Sequence, residues 1–60
     1  MEERINDLLS ESLQLTQAGK ADAGLKQALR AYALARAGQD DLQQAQALLA
    51  QAEAYFRLGQ

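Results

Sequence analysis

An all-α fold of three antiparallel helices is predicted by composition, spacing and punctuation. Of the 60 residues, 13 are Ala and 11 are Leu, with one Ile, no Val and no Pro, a distribution that favours helix over strand. Apolar side chains recur at intervals of three and four rather than two. Breaks centred on Gly19 and Gly38 divide the chain into three such segments.

The first helix is expected over about residues 2–18, where Ile5, Leu8, Leu9, Leu13 and Leu15, with Ser12 and Thr16 among them, fill one broad face. Glu2 and Glu3 suit the positive end of its dipole. Gly19, in "AGKAD", is the natural residue for the left-handed position that closes it. The second helix is expected over about 21–37, with Leu25, Ala28, Leu29, Tyr32 and Ala35 facing inward. Ala31 and Leu34 spread onto its other side, which makes it the central helix. "AGQDD" ends it at Gly38, and Asp40 with Gln43 reads as a capping box opening the third helix, over about 40–58. There Leu42, Ala45, Leu48, Leu49, Ala52, Tyr55 and Phe56 line one face to about residue 58.

A chain this short makes one small domain that buries only about 60% of the surface exposed on unfolding. It has no Cys and no His, so neither a disulfide nor a thiolate or imidazole metal site supports it, which leaves well-formed helices or association. The formal charge of −2 gives no footprint for nucleic acid or for anionic lipid. Charge divides by helix, with Lys20, Lys26, Arg30 and Arg36 on the second between two acidic neighbours. That favours antiparallel packing, although exposed pairs contribute only about 0–1 kcal/mol each. The longest apolar run, "AYALA", is too short to span a membrane, and the acidic "MEER" is unlike an export signal, so a cytoplasmic location is expected.

Displacing the chain by 40 residues places Leu8 on Leu48, Leu9 on Leu49, Ser12 on Ala52, Leu15 on Tyr55 and Gly19 on Gly59. The first and third helices read as copies, and an internal repeat of paired helices is a solenoid signature. "ALARAGQDDLQQAQALLAQAEAYFRLGQ" resembles the tetratricopeptide repeat, particularly its longer variety in large bacterial regulators. Ser12, Gly19, Gly24, Ala31, Ala52, Tyr55 and Gly59 stand at the family's small and aromatic positions. Leu8 and Leu48 replace its usual Trp, Glu11 and Gln51 an apolar residue, and Arg36 a frequent proline. The resemblance implies a helical hairpin plus one further helix, about one and a half units, with "RLGQ" where a fourth helix would begin.

The same register calls for a small residue at Gly24. A mid-helix glycine costs about 1 kcal/mol relative to alanine, so close approach of two helices is its expected reason.

Little catalytic chemistry is encoded. The commonest general base and the thiolate nucleophile are missing, and no cofactor is expected. Asp40 and Asp41 point in different directions on a helix and read as capping rather than as a cation site. Ser10, Ser12 and Thr16 lack an activating base. Gly19, Gly24, Gly38 and Gly59 match no phosphate-loop spacing. Lys26 and Arg30 read as a solvated edge. Tyr32, Tyr55 and Phe56 are too few and too separated for a base-stacking platform.

The resemblance implies that ligand contacts come from the concave face, here Asn6, Leu9, Leu13, Thr16 and Gln17, then Gln46, Leu49, Glu53, Phe56 and Arg57. Leu9, Leu13, Leu49 and Glu53 stand where the family's carboxylate clamp would be, so that clamp is missing. Leu9, Leu13, Leu49, Phe56 and Leu58 are the candidate partner-binding residues, with Leu9 and Leu49 equally explicable as internal core. The expected function is non-catalytic protein–protein assembly as a homodimer. It is motivated by an outer side of the third helix, at Ala47, Ala50, Ala54 and Leu58, that lacks a cover. Exchange of helices about Gly38 and Gln39 is a related possibility. The alternatives are an adaptor taking a hydrophobic helix in its groove and, least favoured, a carboxylate enzyme using Asp40 or Glu53.

Overall fold

The computed structural model describes residues 5–59 as three helices, α1 (Ile5–Gln17), α2 (Ala21–Ala37) and α3 (Asp41–Leu58). The expected helix start at residue 2, and the charges of Glu2, Glu3 and Arg4, lie outside the described residues. Consecutive helices run antiparallel. Across the α1–α2 seam, Ser12 meets Gly24 while the preceding Glu11 meets Gln27, further along α2.

Both turns close with the same backbone device. After α1, Gly19 takes the left-handed conformation (φ 84°), its N–H donates to the Thr16 carbonyl (3.2 Å), and the Lys20 N–H donates to the Leu15 carbonyl (2.8 Å). After α2 the left-handed position falls one residue beyond the glycine. Gly38 stays right-handed, and Gln39 (φ 58°) donates to Arg36 (3.1 Å) while the Asp40 N–H donates to Ala35 (3.0 Å). Asp40 Oδ1 then accepts from the Gln43 N–H at 2.9 Å, capping α3. The Asp40 N–H is already engaged by Ala35, so the reciprocal half of the expected capping box has no donor to serve.

The core is made of small side chains. Ala21, Gly24, Ala28, Ala31 and Ala35 of α2 are buried, against Leu8, Ser12 and Thr16 of α1 and Ala47, Ala50 and Ala54 of α3. Leu8 is the one large aliphatic residue among the fully buried set, and it packs with Ala31 and Ala47 while Ile5, Leu9, Tyr32 and Leu34 close around it. α2 contacts both neighbours, as expected of a central helix.

Gly24 is the point of closest approach. A Cβ there would lie 2.8 Å from the Ser12 carbonyl oxygen, 3.1 Å from the Thr16 nitrogen, and closer still to Thr16 Oγ1. The Ser12 hydroxyl donates to the Gly24 carbonyl at 2.8 Å, within the same seam.

Three expectations are corrected. Ala47, Ala50 and Ala54 of α3 are its packed side rather than its uncovered one, and Leu42, Leu48, Leu49, Tyr55 and Phe56 are exposed on the opposite side. Leu29, expected to face inward on α2, is 45% exposed, as is Leu13 on α1. Thr16, expected on the concave face, is buried beneath Gly24. Helices that meet through glycine, alanine and serine approach closely and, Leu8 aside, leave little room for leucine between them, and Thr16 is enclosed because Gly24 brings α2 against it.

Candidate functional site

Helical geometry, at 3.6 residues per turn, sets the large apolar residues of α3 almost directly opposite its alanine stripe. Leu42, Leu48, Leu49, Tyr55 and Phe56 remain 68%, 49%, 71%, 55% and 65% exposed, with Ala45 and Ala52 between them. Little charge falls on this face. Glu53 lies at one edge, held by Arg57 through an exposed ion pair of 3.1 Å within α3, and Asp41, seven residues before Leu48, stands at the N-terminal end of the face.

The 40-residue correspondence explains why this face is apolar. On α1, Leu8, Ser12 and Thr16 are the residues that α2 covers, and their counterparts on α3 are Leu48, Ala52 and Phe56. Leu8 is 3% exposed and Leu48 49%. Conversely, the alanine stripe Ala47, Ala50 and Ala54 that α3 turns inward corresponds on α1 to Asp7, Ser10 and Gln14, all exposed. One end of the three-helix layer is therefore polar and the other apolar.

A shallow groove of roughly 340 Å³ adjoins this surface, lined by Asn6, Leu9 and Leu13 of α1 and Gln46, Leu49 and Ala50 of α3. Three of the candidate partner-binding residues, Leu9, Leu13 and Leu49, thus come together, and Leu49 belongs to both surfaces. Phe56 lies further along the outward face. Leu58 stands apart, beside Arg57, Thr16 and Asp22 at the α1–α2 turn. Leu48 and Tyr55, placed by the sequence on one face of the third helix, are among the exposed residues. For Leu48 the signal was the repeat itself, since it matches the buried Leu8, whereas Leu15, the match of Tyr55, is only half-buried.

Among the described residues the polar groups form no reactive constellation. Glu11 accepts from the Gln27 side chain at 2.7 Å across the α1–α2 seam. Thr16 Oγ1 is buried without a hydrogen-bond partner among the described residues. Among those residues no cluster of three or more potential ligands is placed to hold a metal, and no helix is long and apolar enough to cross a membrane. The fold and site define a small all-α protein of packed antiparallel helices with one open apolar end. No protein-family model, curated protein or solved structure matches the chain.

Proposed function

We propose that the chain is a non-catalytic assembly module of tetratricopeptide type that self-associates through the outward face of α3. The observation that carries this reading is the exposure of Leu48 and Phe56, whose α1 counterparts Leu8 and Thr16 are buried. In a helical stack a terminal surface is kept soluble by polar residues. Asp7, Ser10 and Gln14 meet that requirement on α1, and α3 has no equivalent.

The magnitudes are sufficient for a reversible complex. Leu42, Leu48, Leu49, Tyr55 and Phe56 together leave about three side chains' worth of surface in water, which covering would stabilise by roughly 5–9 kcal/mol per chain. Two such faces give roughly 10–18 kcal/mol against a cost of about 4–15 kcal/mol for lost freedom. The mid-range difference, about 4–5 kcal/mol, corresponds to dissociation near the millimolar range.

Sedimentation equilibrium across a concentration series tests this. The expected result is a concentration-dependent dimer that the Leu48→Glu/Tyr55→Glu variant loses while keeping its helical circular dichroism. A wild-type chain that stays monomeric throughout refutes the reading. The groove between α1 and α3 supports a second one, an adaptor for a hydrophobic helix. Leu13→Glu would then abolish peptide binding and leave the dimer intact, because Leu13 lies off the outward face of α3.

A further inference from the structure

We infer that the cover of the outward face of α3 is the same face of a second copy, the two helices running antiparallel about a two-fold axis midway between positions 50 and 51. This rests on the self-association reading and adds the occupant's geometry to it. Along the outward face, Leu42, Ala45, Leu49, Ala52, Phe56 and Gly59 follow one another at alternating intervals of three and four, which is the spacing of a helix-pairing seam. Sizes alternate along it, with the large residues at 42, 49 and 56 and the small ones at 45, 52 and 59.

That order is self-complementary when one helix is reversed. Leu42 then meets the second copy's Gly59, Ala45 meets its Phe56, and Leu49 meets its Ala52, so every layer joins one large and one small side chain. Beside the seam, Leu48 falls next to the other copy's Tyr55 on one flank. On the other flank Gln46 falls next to Glu53, whose charge Arg57 already accompanies. No like charges are opposed, and the two helix dipoles align favourably. The parallel arrangement instead stacks leucine on leucine and alanine on alanine, and sets Leu48 against Glu53.

The exchange of sizes provides the test, with sedimentation as the readout. Ala52→Leu alone should oppose two leucines and weaken dimerisation about tenfold or more. The double variant Leu49→Ala/Ala52→Leu should restore it, because the exchanged pair remains one large and one small. Tighter association of Ala52→Leu, or no rescue by the double variant, overturns the antiparallel register while self-association itself stands.

Crosslinking gives an independent measure, since the natural chain has no cysteine. With a rise of 1.5 Å per residue, the two copies of position 52 are offset by about 4 Å along the axis and those of position 45 by about 16 Å. A short bismaleimide, which joins two thiols by addition, should therefore link Ala52→Cys and leave Ala45→Cys unlinked. Equal yields at the two positions, or none at either in a proven dimer, overturn the register. A monomeric wild-type chain overturns both this inference and the reading beneath it.

Discussion

Replacing Gly24 by alanine should destabilise the protein, although the same change in an exposed helix interior stabilises by about 1 kcal/mol. The new Cβ would stand 2.8 Å from the Ser12 carbonyl oxygen and 3.1 Å from the Thr16 nitrogen, inside the 3.4 Å at which ordinary contact begins. Both are backbone atoms of α1 and cannot rotate aside, so the helix itself must retreat by about half an ångström and stretch the 2.8 Å Ser12–Gly24 hydrogen bond. Overpacking of this kind costs about 1–3 kcal/mol, which leaves a net loss of about 0–2 kcal/mol after the gain in helix propensity. In a chain this small, each kcal/mol lowers Tm by roughly 4–8 °C. Thermal unfolding followed by far-ultraviolet circular dichroism at fixed protein concentration would measure it, because association shifts Tm by mass action. Thr16→Ala in the same chain removes the obstructing Oγ1 and leaves the carbonyl, so it should lessen the loss without reversing it. If Gly24→Ala raises Tm by the amount propensity alone supplies, the close approach of α1 and α2 is refuted.

Gln39→Gly should stabilise by up to about 1 kcal/mol, since Gln39 holds a φ of 58° that glycine adopts without strain, and chemical denaturation would register it as a higher midpoint. Asp40→Ala removes the acceptor of the Gln43 N–H and should cost about 1 kcal/mol in the same assay. Ala54→Leu inserts a large side chain between α2 and α3 and should cost about 1–3 kcal/mol. An unchanged midpoint would show that the alanine side of α3 is not its packed side.

The helical class and its punctuation were legible because each depends on local chemistry. Gly19 was readable as a left-handed closing residue, and Asp40 as a cap, from their own side chains and neighbours. Gly24 was readable because the repeat calls for a small residue there, whatever its burial. The orientation of α3 was not. That helix carries two apolar stripes on opposite sides, one large and one small, and hydrophobicity alone sends the large one inward. What selects the small one is the surface it meets, the alanines of α2, and that is a property of two helices together. The 40-residue correspondence contained the answer at Leu48, Ala52 and Phe56, but using it required knowing which side of α1 faces α2. The left-handed Gln39 was hidden by its neighbour, because Gly38 is the residue that position ordinarily takes.

The seams of alanine, glycine and serine also shape how the molecule responds to heat. A methyl group removes little oily area from water, so melting a single copy exposes less of it than melting a leucine-filled bundle would. The calorimetric step on unfolding should fall below the roughly 12–15 cal/mol/K per residue typical of globular proteins, and the free-energy curve should be correspondingly flat. Cooling then does little harm to such a fold, and warming melts it gradually.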